Sequence, residues 1–281
     1  MSVGSTELTT GVGSTEPAES EGTGFAGTGA DRKRMRRLRR CRERGLIAPR
    51  WYAVAGPAYL AALLAVDMQG GIDRQRVLGV LTWLVLLAAL RPLPALARAQ
   101  ALGVVAFATV GEVTGSLVWG VYHYRLHNLP LFIPPAHGLV YLSGVALART
   151  VRARPLVLVA GACAGLWGLL GLTVLPRLDL AGAVGVPLLL VFLWRSRLRA
   201  AYAGVFLVVG ALELYGTSIG TWRWAAQLPG LGIPDGNPPS GAASGYVWFD
   251  VMALLVAPAL VAGSRALRPV AAERHEPDVA L

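Results

Sequence analysis

EVTGSLVWGVYHYRLHNLPLFIPPAHGLVY, residues 112–141, begins inside an apolar run, passes through Gly-x-Tyr-x-Tyr (120–124) into a proline-rich loop, and ends in a second apolar run carrying His137. A carboxylate is costly to bury among apolar side chains, so Glu112 is the first residue that asks for an explanation. About a hundred residues later the pattern returns: Glu213 in an apolar run, Gly216, Gly-Thr-Trp-Arg-Trp (220–224), Pro229, Ile233-Pro234, and a further apolar run carrying Asp250. The stretch therefore reads as the join between two apolar helices, and the chain makes that join twice.

The composition agrees. Hydrophobic residues make up 54% of the chain and charged residues 15%, with mean hydropathy +0.53; soluble domains carry about 25% charged residues. The expected class is a polytopic, all-α membrane bundle. Spans are expected near 52–66, 77–90, 101–122, 131–148, 155–174, 180–194, 201–219 and 246–263. Residues 1–30, rich in Gly, Ser, Thr and Glu, cannot bury enough surface to offset their ordering entropy and are expected to be disordered. They also lack the apolar run of a signal peptide. Residues 31–50 form a basic collar, and 265–281 a cytoplasmic tail.

Net charge +10 suggests nucleic acid until it is located. Ten of the 26 Lys and Arg residues lie between Arg32 and Arg50, beside the first span and with no aromatic interleaving. They read as a topology signal and a contact for anionic lipid headgroups, not as a nucleic-acid site. With eight spans, 21 of the 26 cationic residues fall in the tails and even-numbered gaps and 5 in the others. The bias places both termini in the cytoplasm and the chain in the cell membrane, multi-pass. Offsets of 101 to 104 residues relate 51–150 to 151–264. Two parallel four-helix repeats are expected, since an even number of spans preserves orientation.

Four ionisable groups fall within the spans: Glu112, His137, Glu213 and Asp250. No Lys or Arg accompanies them, so the acids are expected to hold protons unless Arg125 or Arg223 reaches back. Glu112 and Glu213 lie roughly 16–18 Å along their helices at ~1.5 Å per residue, with Asp250 the shallowest of the four. Gly115 and Gly216, each at i+3 from an acid, leave a bare face open to a helix or a flat ligand. Simpler readings stay open. Either glutamate can be interhelical glue, His137 a satisfied core histidine, and Asp250 a solvated interface residue. Tyr122, Tyr124, Trp222 and Trp224 can form an aromatic belt. Metal binding has little support, because His123, His127 and His137 share no helical face. Cys41 and Cys163 are too differently placed to pair. No cofactor is implied.

At these residues the chain resembles a family. Glu-x-x-Gly-x-x-x-x-Gly-x-Tyr-x-Tyr (112–124), followed by Pro130 and Pro134, is similar to the first-half signature of the bacterioruberin-type carotenoid hydratases. Gly-Thr-Trp-Arg-Trp with Gly232-Ile233-Pro234 is similar to their second half. Membrane lycopene cyclases have a related acid-then-Gly-x-Trp pattern. The resemblance covers spans three, four, seven and eight; the cyclases' Pro-Glu-Glu pair is lacking, and Asn-Pro-Pro-Ser-Gly (237–241) has no counterpart in it. It implies protonation of an alkene in a membrane-dissolved isoprenoid or carotenoid. The donor would be Glu112 or Glu213, reset or oriented by Asp250 or His137. Tyr122, Tyr124, Trp222, Trp224 and Tyr246 would line the substrate and stabilise a carbocation by cation–π attraction. Two other classes stay open: a proton-coupled transporter using the same acids, and a non-catalytic membrane scaffold.

Overall fold

The computed structural model describes residues 47–266; of Arg265 and Ala266 only the backbone is described. The expected disordered tail, nearly all of the basic collar and the C-terminal tail lie outside the described residues.

Each expected span is a helix. The eight are α1 (Tyr52–Asp67), α2 (Ile72–Leu90), α3 (Ala95–Glu112), α4 (Ile133–Thr150), α5 (Ala153–Thr173), α6 (Leu180–Arg195), α7 (Arg199–Ile219) and α8 (Ala242–Ala266). Their limits follow from local chemistry. Gly70-Gly71 separates α1 from α2, and Pro92 and Pro94 end α2 and start α3. Pro134 and Pro135 sit in the first turn of α4, where a missing N–H costs nothing. The Asp179 side chain caps α6 by accepting the Gly182 N–H at 3.0 Å.

Four helical segments are long and apolar enough to cross a membrane: α3 with its extension to Trp119, α5, α7, and α8 over Ala242–Ser264. Helices α1 and α6 are apolar but shorter. Large apolar side chains face outward along the bundle, among them Val54, Val80, Leu84, Leu158, Val184 and Leu255. An exterior of that kind suits lipid, where backbone groups must be satisfied within helices.

The bundle is centred on α3, α4, α7 and α8. The most extensive pairings are α3 with α8 and α4 with α7, and α3 also packs on α4 as α7 packs on α8. Helix α4 is the most enclosed, with buried residues on every face from Ile133 to Ala146. Its backbone meets α7 at Gly144 and Gly204, where a Cβ on Gly204 would strike the Gly144 carbonyl oxygen. Small residues at such crossings let apolar helices approach without side chains between them. Outside the centre, α1 packs on α4, while α5 packs on α6 and α7.

The two copies of the aromatic motif meet. Strand β1 (Tyr122–Tyr124) pairs antiparallel with β2 (Trp222–Trp224), Tyr122 opposite Trp224 and Tyr124 opposite Trp222. The ribbon continues symmetrically at both ends: the Arg125 N–H donates to the Thr221 carbonyl, and the Ala225 N–H to the Val121 carbonyl, each at 2.9 Å. Gly120 and Gly220 take φ of +77° and +84°, the left-handed conformation that turns each helix into its strand.

One irregularity has a simple origin. Glu112 and Glu213 are 101 residues apart, whereas Gly120 and Gly220 are 100 apart. The first copy thus carries one extra residue between acid and glycine. Val113–Trp119 absorbs it as a π-helical stretch, whose wider turn accommodates a single insertion. Both acids thereby keep the same relation to the ribbon.

Candidate functional site

Beneath the ribbon lies a cavity of about 630 Å³, within the range of roughly 300–1,000 Å³ usual for small-molecule sites. Glu112, His137, Glu213, Tyr122, Tyr124, Trp222, Trp224 and Tyr246 all line it. The rest of the wall is mostly apolar, including Leu60, Leu64, Phe132, Val209, Leu212 and Phe249.

Each glutamate is held through one oxygen by the two inward rings of its own copy. Oε2 of Glu112 accepts from the Tyr122 hydroxyl at 2.7 Å and the Tyr124 hydroxyl at 2.6 Å. Oε2 of Glu213 accepts from the indole N–H of Trp222 at 2.9 Å and of Trp224 at 3.3 Å. Alternation along the strand dictates this: residues i and i+2 share a face, so both aromatics of each Gly-x-aromatic-x-aromatic motif point inward. His123 and Arg223, between them, point out and are exposed. Across the ribbon the rings touch, Tyr122 and Trp224 with centroids 4.6 Å apart. Gly115 and Gly216 leave the bare faces expected of them, and the flat group that occupies each is the motif's own ring. A Cβ on Gly115 would come 2.9 Å from Tyr122 Cε1, and one on Gly216 would strike the outer edge of the Trp222 ring at Cη2.

The two acids differ in a third partner. His137 Nε2 lies 3.3 Å from Glu112 Oε1, both buried. Nδ1 of the same ring is 2.9 Å from the Ile133 carbonyl oxygen. A carbonyl only accepts, so Nδ1 carries a proton, and a neutral ring then faces Glu112 with a lone pair. Two lone pairs face to face repel; one proton between them, on Oε1 or on Nε2, removes the conflict. Glu112 Oε1 and His137 Nε2 thus lie in contact, while Nε2 makes no hydrogen bond among the described residues. Glu213 makes no ion pair among the described residues, and its Oε1 makes no hydrogen bond among them. Indole N–H groups cannot accept, so a proton on Glu213 belongs on Oε1.

Neither arginine considered as a neutraliser pairs with Glu112 or Glu213 among the described residues, and Arg223 is exposed. Arg125 donates to the carbonyls of Asp67 and Gly70, each at 2.6 Å, closing the end of α1. His137 also stacks on Tyr246, with centroids 5.1 Å apart and planes at 17°.

Asp250 stands apart from this group. Helix α8 starts at Ala242 rather than near 246, which sets Asp250 roughly 12 Å along it at ~1.5 Å per residue. It is 2% exposed, one turn below Tyr246, and is not among the residues lining the cavity; its Oδ2 has no hydrogen-bond partner among the described residues. A second buried polar tier forms there: the Tyr141 hydroxyl donates to Gln100 Oε1 at 3.1 Å, and Asp250 lies within electrostatic reach of Tyr141.

Two loop acids lie outside the motifs read from the sequence: Asp179, between α5 and α6, and Asp235, between β2 and α8. Asp179 accepts from the backbone N–H of Gly182 (3.0 Å), Gly236 (3.1 Å) and Ser240 (2.6 Å). It thereby folds Gly236–Gly241 against α6, and Asn237 Oδ1 ties the same loop to the Trp224 N–H at 2.9 Å. Asp179 just ahead of an apolar run is a helix-start signal and could have been found. Asp235 could not: it is 2% exposed and lines the cavity only because the loop folds inward. Its burial, with Asp179 alongside, pushes its carboxyl up to about 7. Among the described residues no group of three or more His, Cys, Asp or Glu is placed to hold a metal, and His123 and His127 are both exposed. No protein-family model, curated protein or solved structure matches the chain.

Proposed function

We propose that this is an eight-span membrane protein of two parallel four-helix repeats, with both termini in the cytoplasm, that modifies a membrane-dissolved isoprenoid or carotenoid by protonating an alkene. The observation that carries the reading is one largely apolar cavity lined by both Glu112 and Glu213, each pinned through Oε2 by two aromatic donors. Such pinning fixes where a proton sits. Glu213, which among the described residues makes no ion pair and is hydrogen-bonded only at Oε2, is the donor through Oε1. Protonation at one alkene carbon leaves a tertiary cation on the other. The faces of Trp222, Trp224 and Tyr122 and the negative charge left on Glu213 stabilise it.

Water then adds to the cation and gives up a proton to the Glu112–His137 pair. Alternatively a second alkene of the same chain closes a ring, and a neighbouring carbon loses the proton. Return of that proton to Glu213 completes either cycle. The reciprocal packing of α3 on α8 and α7 on α4 supports the repeat reading. The apolar exterior supports access from lipid.

The test is lipid profiling by mass spectrometry in a bacterium that makes linear carotenoids. The expected result is a product heavier by one water, or an isomer of equal mass and altered retention, absent with Glu213→Gln and Glu112→Gln. Unchanged prenyl lipids with the intact protein would overturn the reading. Proton-coupled transport is the second reading, favoured by the buried tier of Gln100, Tyr141 and Asp250 below the cavity. It calls for proton flux in liposomes that Asp250→Asn abolishes.

A further inference from the structure

The cavity contains a third carboxyl that alkene protonation does not use. Asp235 lines the same cavity as Glu213, is 2% exposed, and its Oδ2 is buried without a hydrogen-bond partner among the described residues. A buried polar atom without a partner costs free energy comparable to a lost hydrogen bond. The loop is nonetheless built to keep Asp235 there. Its N–H donates to the Ala226 carbonyl at 3.0 Å, and Gln227 pairs with Pro234 across the loop. Pro239, Gly241 and Ala242 continue the cavity wall beside it.

We propose that Asp235 is a polar anchor for the hydroxyl end of an uncharged isoprenoid alcohol whose apolar body fills the cavity towards Glu213. The inference rests on the isoprenoid reading above and adds the end group. Charge selects it. The groups that act on Asp235 are Asp179 and Arg177. Asp179 is saturated by three backbone N–H groups, and Arg177 donates to the Trp224 carbonyl at 2.9 Å. Beside a carboxylate held in this way, a second buried carboxyl favours its neutral form. A neutral carboxyl both donates and accepts, which is the complement of a hydroxyl. A diphosphate end group would instead meet three acids in one cavity, with His137 the only cavity-lining base among the described residues.

The test uses the full chain in nanodiscs and follows quenching of tryptophan fluorescence, since Trp222 and Trp224 line the cavity. The probes are geranylgeraniol, geranylgeranyl diphosphate and the parent C20 hydrocarbon. At pH 6 the alcohol is expected to bind about tenfold more tightly than either of the others, about 1.4 kcal/mol. Asp235→Leu is expected to bring the alcohol down to the affinity of the hydrocarbon, and Asp235→Asn, which still donates and accepts, to keep most of the preference. Equal binding of alcohol and hydrocarbon by the unaltered protein would overturn the proposal. So would tighter binding of the diphosphate, or an alcohol preference that survives in a folded Asp235→Leu protein. Should Asp235→Leu fail to fold, the unaltered protein and Asp235→Asn still decide. Turnover is measured separately: an alcohol preference without product would sink the alkene-protonation reading alone, and product without the preference would sink this one alone.

Discussion

Gly216→Ala tests whether the acid is held by the aromatic ring as described. The new Cβ strikes the edge of the Trp222 ring, so the ring must move, and with it the N–H that Glu213 Oε2 accepts at 2.9 Å. Overpacking of this kind costs about 1–3 kcal/mol, and the lost hydrogen bond about 0.5–1.5 kcal/mol. Replacing glycine by alanine in a helix returns about 1 kcal/mol. The net expectation is destabilisation of roughly 1–3 kcal/mol. In a Trp222→Ala background the obstacle is gone, only the helix term remains, and the same substitution should stabilise by about 1 kcal/mol. The sign therefore reverses between backgrounds. Unfolding by a denaturing detergent, for all four members of the cycle, measures it. Gly115→Ala should cost less, because its Cβ would approach Tyr122 Cε1 at 2.9 Å, a milder clash than that of Gly216 with three atoms of the Trp222 ring. Equal destabilisation by Gly216→Ala in both backgrounds would refute the geometry.

Asp179→Ala removes the acceptor of three backbone N–H groups. At about 1–3 kcal/mol for each buried donor left without a partner, less whatever water recovers, it should destabilise by several kcal/mol. Hydrogen exchange should rise at Gly236 and Ser240 before the helices respond; unchanged exchange at those amides would contradict the loop's anchoring. Asp235 predicts a pH dependence. Its carboxyl titrates at about 7 in the folded protein against an ordinary 3.8, so the folded state binds the proton more tightly. Its contribution to stability is fully present below about pH 4 and is lost as pH rises to about 7. Asp235→Asn should flatten that slope, and parallel stability curves for the two proteins over this window would count against it.

The alternation of apolar runs with Gly, Pro and Arg clusters was enough to locate all eight helices, because each run fixes one local structure wherever backbone polar groups must be paired internally. The two acid-glycine-aromatic patterns could likewise be read directly, and eight of the nine residues they pointed to line one cavity. Asp250 is the ninth. Its run begins with Ala, Ser and Gly, residues that carry little apolar signal, so the sequence puts the start of α8 about four residues late. The sequence also fixed on glycine as a bare face, but not on what covers it.

Other features belong to the tertiary structure alone. Tyr122 and Trp224 meet because two chain segments about a hundred residues apart form one ribbon, and nothing local in either segment specifies the other. The ring orientation that turns His137 Nε2 towards Glu112 depends on which carbonyl Nδ1 reaches, which is set by the first turn of α4. Asp235 reads as an ordinary loop acid until the loop folds inward onto Asp179. Periodicity and breakers decide where helices start and stop, since those forces act within a few residues. Burial, pairing and proton placement are decided by groups distant in the chain, and so only by the folded bundle.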